Sequence, residues 1–237
     1  MFIGHYAVAL AAKRAAPRAS LGTLFAATSL ADLLWPVFLL LGWEQAHVVP
    51  GPNPFLTLWL DSIPISHSLV TLIGWGALFG LVYRARTLDD RGGGVIALLV
   101  VSHWVLDYVT HRPDMPLYPG GTPLGLGLWN SVAGTVVVEG VMFVAGVWLY
   151  ATATRARDRA GSYGFWALVA VLLLSYVGSL FSPPPPTRVA LAIGVSSSGG
   201  CLWRGRGGGI STERALHDGR TPRSTKEALA TWRRGVV

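Results

Sequence analysis

His103 and Asp107 are the residues of this chain whose type and spacing most directly suggest chemistry. Four apart, they share one face of an α-helix, with His111 one further turn along and drifting off that face. An imidazole and a carboxylate at this spacing can hold one cation between them. In a soluble helix such a pair more often only hydrogen-bonds to its neighbours. Here, however, it closes an apolar run that starts near Gly94 and consists almost wholly of Val, Ile, Ala and Leu. Ionisable groups in a segment bound for lipid are expensive and mark functional sites with partners close by.

The elements that must position such a site are membrane helices. Over 237 residues the chain is 51% hydrophobic, with 10 Trp and 29 Gly and a mean hydropathy of +0.47. This composition excludes an ordinary soluble domain and predicts an all-α polytopic membrane protein. A single cysteine, Cys201, excludes an internal disulfide framework and a Cys-based metal site, so ligands must come from His, Asp and Glu. The net charge of +7 belongs to the tail: residues 1–187 hold ten Lys/Arg against nine Asp/Glu, and residues 188–237 nine against three. We therefore expect a transmembrane helical unit over 1–187 and a Gly/Ser/Arg-rich disordered tail over 188–237. The tail has no motif that would support nucleic-acid binding. Lys13 and Arg14 follow the first apolar stretch instead of preceding it, unlike a signal peptide.

Residues 2–12 are apolar but too short to span, which predicts a half-helix dipping into the bilayer or lying on it. Five spans follow, at about 21–43, 66–83, 93–110, 128–150 and 163–181. Pro36 should kink the first, and the stretches 50–64 and 112–127 are Pro-rich loops, the latter structured. Basic residues cluster before the first span, between the second and third, and between the fourth and fifth. The positive-inside rule puts all three clusters on the cytoplasmic side of a multi-pass membrane protein.

Helix rise locates the partners. Counted from the cytoplasmic edge, His5 lies roughly 12 Å deep, Asp32 about 16 Å, His103 about 15 Å and Asp107 about 21 Å, while Glu139 lies about 16 Å from the outer edge. His67, His111 and Asp61 fall nearer the outer mouth. Several ionisable groups at one depth point to a shared divalent cation, for which imidazole and carboxylate suit zinc, manganese or non-haem iron. With an open position, zinc or manganese would activate water.

Gly4-His5 near the start, Asp32, the His67-Ser68-Leu69 opening of a span, and Ser102-His103 with Asp107 before a Pro-rich loop together resemble the YdjM-type family of predicted membrane-bound metal-dependent hydrolases. The resemblance covers roughly residues 1–125. It implies an inner-membrane protein that binds a divalent metal through His5, Asp32, His67, His103 and Asp107. The chain departs from the family pattern before His67, where Asp61-Ser62-Ile63-Pro64-Ile65-Ser66 stands, and at Asp32-Leu33-Leu34, which lacks a doubled acidic residue. On this footing the expected activity is hydrolysis of a lipid-linked or membrane-accessible ester or phosphoester. His67, Asp61 or Glu139 would serve as general base or acid. Two other functions fit the same residues: an ion or proton carrier using them as a relay, and a structural membrane protein with buried polar contacts.

Overall fold

The computed structural model describes residues 1–181 except Pro50 and Pro52, together with the backbone of Arg214–Ala215. Most of the expected tail, 188–237, thus lies outside the described residues. The described residues are mostly helical, in seven α-helices: α1 (Ile3–Ala12), α2 (Leu21–Thr28), α3 (Leu30–Leu40), α4 (Leu69–Thr87), α5 (Asp90–Thr110), α6 (Val132–Ala153) and α7 (Arg159–Phe181). Four of them begin where a short polar side chain can take an unpaired helix N–H. Ser20 accepts from Thr23 at 3.0 Å, Ser68 from Thr71 at 3.3 Å, Asp89 from Gly92 at 3.0 Å and Ser131 from Gly134 at 3.0 Å. α5 ends at His111, two residues before Pro113, whose ring disfavours helical geometry at Arg112.

Three helices, α5, α6 and α7, are long and apolar enough to cross a membrane, and α2 with α3 makes a fourth if that bent pair is one span. The expectation of five spans is therefore met only in part. α4 has the length, 19 residues, but its three glycines and its terminal Arg84 and Arg86 leave it less apolar than the others. The first expected span is broken, with α2 and α3 bent by 54°. The break falls at Ser29 and not at Pro36, which sits inside α3. Thr28 explains the position: its hydroxyl bonds back to Leu24 O at 3.3 Å and Phe25 O at 3.1 Å, a habit that bends helices.

α1, expected as a half-helix dipping into the bilayer or lying on it, is 10 residues long and packs inside the bundle against α2, α5, α6 and α7. Ile3, Ala7, Ala9 and Leu10 are buried with His5. Its close approach to α6 depends on Gly146, where a Cβ would stand 2.5 Å from Ala7 O. The α4–α5 pair is built the same way, since a Cβ on Gly80 would lie 2.5 Å from Gly93 O. Gly80→Val is accordingly expected to destabilise the protein by about 1–3 kcal/mol, read as a lower midpoint of unfolding in detergent; an unchanged midpoint would mean that α4 can shift without loss.

The strands form short antiparallel pairs. β1 (Gln45–Val48) pairs with β2 (Leu58–Ser62), so the stretch expected as a loop over 50–64 is largely a hairpin. β3 (Met115–Pro116) pairs with β4 (Pro123–Leu124) within the structured 112–127 loop. β5 (Thr154–Arg155) pairs with β6 (Arg214–Ala215). Much of the outward surface of α6 and α7, including Val141, Val144, Trp148, Leu174 and Phe181, is apolar and exposed, as suits contact with lipid.

A candidate metal centre inside the bundle

Four elements bring His5, Asp32, His67, His103 and Asp107 together. α5 carries His103 and Asp107 on one face, with His103 Nε2 2.9 Å from Asp107 Oδ2. α1 lays His5 parallel to His103, ring centroids 4.0 Å apart, and its Nε2 is 3.1 Å from Asp107 Oδ1. α3 presents Asp32 from its first turn, where the helix dipole favours an anion. Asp32 Oδ1 stands 3.7 Å from His103 Nε2 and 3.6 Å from Nε2 of His67, which precedes α4. His67, expected near the outer mouth, thus reaches the others because the turn before α4 folds inward.

These residues form two overlapping groups, His5–His103–Asp107 and Asp32–His67–His103. Within each, the possible ligand atoms lie within 4.8 Å of one another. His103 belongs to both, yet an imidazole nitrogen has one lone pair and can ligate one ion. The overlap therefore favours a single cation at His103 over two separately bound ones.

The orientation of the rings supports ligation. His103 Nδ1 lies 2.7 Å from Thr28 O, and a carbonyl can only accept, so Nδ1 carries the hydrogen. In the neutral ring Nε2 then presents a lone pair, buried between two carboxylates and without a hydrogen-bond partner among the described residues. The α2–α3 break and the placement of His103 are thus connected, because the last carbonyl of α2 is the one that orients the ring. His67 is oriented similarly. Its Nδ1 is 2.7 Å from Ser66 Oγ, whose own hydrogen goes to Glu44 Oε2 at 2.6 Å, leaving Nε2 to face Asp32. Outer partners of this kind are what fix the tautomer of metal-binding histidines.

His5, His67, His103 and Asp107 are buried. The Asp32 side chain is 43% exposed and is the open wall of the group. The carboxylates of Asp32 and Asp107 put negative charge where water is scarce, and a divalent cation would offset it. The Met1 amino group supplies one positive charge through its contact with Asp107. On the chemistry of its donors and its orphaned Nε2, this group fits a metal ion.

The other candidates lie elsewhere. Glu139 is fully buried but serves the start of α1, accepting from Phe2 N at 2.9 Å and Gly4 N at 3.1 Å, and belongs to neither ligand group. Asp61 is on β2, paired with His47 Nδ1 at 2.6 Å on an exposed hairpin, and also belongs to neither. His111 comes closer than its drift along α5 suggests: its Nε2 is 3.9 Å from Asp107 Oδ1, and its Nδ1 3.0 Å from Asp114. Glu44 was not singled out by sequence; the one signal for it was a carboxylate standing directly after an apolar run. It is 1% exposed and takes three hydrogen bonds from residues 65 and 66.

Fold and site together define a mostly helical protein with three or four candidate membrane spans and a buried His/Asp group able to hold a metal ion. Comparisons with protein-family models, curated proteins and solved structures yielded no match to the chain.

Proposed function

We propose that this chain is a multi-pass inner-membrane, metal-dependent hydrolase of the YdjM type, acting on a lipid-linked or membrane-accessible ester or phosphoester. One observation carries the proposal: His103 Nε2 is fully buried and faces two carboxylates, Asp107 Oδ2 at 2.9 Å and Asp32 Oδ1 at 3.7 Å, without forming a hydrogen bond among the described residues. A proton or ion relay needs polar groups strung across the bilayer, whereas these five are gathered at one place.

His103 and Asp107 form the inner wall of the site, with His5 beside them and His67 opposite. Zinc or manganese bound there would polarise the ester and make water a better nucleophile at neutral pH. Asp32, on the open side, would meet the incoming ester and take a proton from the attacking water on its second carboxylate oxygen. Thr28 and Ser66 keep the two Nδ1 hydrogens turned away, so that neither imidazole swings during the reaction. The apolar helices around the site exclude bulk water and suit a substrate whose tail remains in lipid.

Protein reconstituted in nanodiscs tests this directly. It is expected to retain about one zinc or manganese per chain and to hydrolyse at least one of a lipid phosphomonoester, a lipid phosphodiester and a lipid carboxylic ester. Turnover should stop with a chelator and return with the ion. Bound metal without turnover of any of the three, combined with proton flux in liposomes, would favour the carrier. Asp61→Asn is expected to leave metal content unchanged, since Asp61 lies outside both ligand groups; reduced metal content in this variant would place the hairpin in the site.

A further inference from the structure

Glu44 is an enclosed acidic side chain, 1% exposed, that the proposed chemistry leaves without a task. After α3 the chain turns back through hydrogen bonds from Trp43 N and Glu44 N to Phe38 O, at 2.9 and 3.2 Å. This drives the Glu44 side chain inward to the segment before α4. There the two carboxylate oxygens divide their work. Oε1 accepts from the backbone N–H groups of Ile65 and Ser66, at 2.8 and 2.7 Å, and Oε2 accepts from Ser66 Oγ at 2.6 Å. The first pair anchors the backbone. The second contact leads to the site, because Ser66 Oγ also meets His67 Nδ1 at 2.7 Å.

A serine hydroxyl has one hydrogen. Glu44, which as a carboxylate can only accept, claims it. Ser66 Oγ must therefore accept from His67, which places the His67 hydrogen on Nδ1 and a lone pair on Nε2, the atom facing Asp32. We infer that Glu44, acting through Ser66, is a positioning residue that holds His67 in its Nδ1–H tautomer and so presents Nε2 to the metal centre. The tautomeric part stands on hydrogen-bond geometry alone; the consequence for metal affinity rests on the function proposed above.

Glu44→Gln is the informative variant because it keeps shape while reversing the relay. The two backbone N–H groups at Oε1 still require an oxygen there, which puts the new NH2 at the place of Oε2. That NH2 donates to Ser66 Oγ, which frees the Ser66 hydrogen to turn to His67 Nδ1 and releases the His67 hydrogen to Nε2, where it blocks ligation. In full-length, metal-free protein with 15N-labelled histidine, the His67 resonances are expected to change from the Nδ1–H to the Nε2–H pattern. Co2+ titration is expected to show affinity about 10- to 100-fold weaker than wild type for Glu44→Gln and for Ser66→Ala. Ser66→Thr, which keeps the hydroxyl, should stay within about threefold of wild type, within the context scatter of such effects.

A folded Glu44→Gln protein with the wild-type His67 pattern would overturn the inference. So would Ser66→Ala with wild-type Co2+ affinity. Should Glu44→Gln fail to fold, Ser66→Ala decides on the same two measurements, with retention of a single Nδ1–H pattern counting against the relay. If wild-type protein itself binds no Co2+, the metal reading fails, while the tautomer measurement on metal-free protein still decides the role of Glu44.

Discussion

Replacing His103 with alanine is expected to lower divalent-metal affinity by more than about 100-fold, beyond the range for residues that only support a ligand. His103 is the member common to both ligand groups, so its loss dismantles both. His5→Ala and His67→Ala each remove a ligand from one group and should weaken binding less. Zinc titration of nanodisc-embedded protein against a competing chelator would rank the three. The ranking is the sensitive feature: equal losses would mean that the ion contacts all three rings alike, and wild-type affinity in His103→Ala would place the ion elsewhere. Folding is checked alongside, since His103 is 0% exposed and its Nδ1 bond to Thr28 O joins α5 to the end of α2.

Asp107→Ala is expected to have the largest effect on stability, about 3–5 kcal/mol, the range for removing one partner of a buried charged cluster. Asp107 faces the Met1 amino group, His5 and His103, and truncation would leave the buried amino group without its counter-charge and both rings without the carboxylate they face. Asp107→Asn keeps the shape and one acceptor, so an intermediate loss is expected. Asp32→Ala provides the contrast. Its side chain is 43% exposed, so its truncation should cost less than that of the enclosed Asp107. Reversible unfolding in mixed micelles would measure all three. Ligand linkage gives a second signature: zinc at 100 times its dissociation constant should stabilise wild type by about 2.7 kcal/mol and Asp107→Ala scarcely at all. Equal stabilisation of both proteins would remove Asp107 from the ligand set.

The inner wall of the site was legible in the chain itself. His103 and Asp107 stand out because an apolar helix tolerates such groups only with partners, and helix rise then put His5 and Asp32 at a matching depth. Depth alone also selected Glu139, which shares the burial but turns its carboxylate to the start of α1. It misplaced His67, since a residue just outside a helix can be carried inward by the turn that holds it. The proline rule for kinks located the wrong residue: Pro36 was absorbed within α3, and the break came at Ser29 beside a threonine bonded back to its own helix. Glu44 was passed over because a charge at the end of an apolar segment ordinarily reaches water, and only the reversal of the chain after α3 brings it to Ser66.

Composition and spacing by themselves determined a helical membrane protein, its apolar segments and the polar residues too costly to bury alone. Those are local properties, set by each residue's transfer free energy and by the pitch of one helix. The tertiary structure decided that α1 lies inside the bundle, that the α2–α3 break lends a carbonyl to His103, and that Glu44 orients His67 from another part of the chain. Each of these depends on contacts between segments far apart in sequence, where a rotation of one helix moves a carboxylate from the site to its surroundings, and no local pattern encodes that rotation.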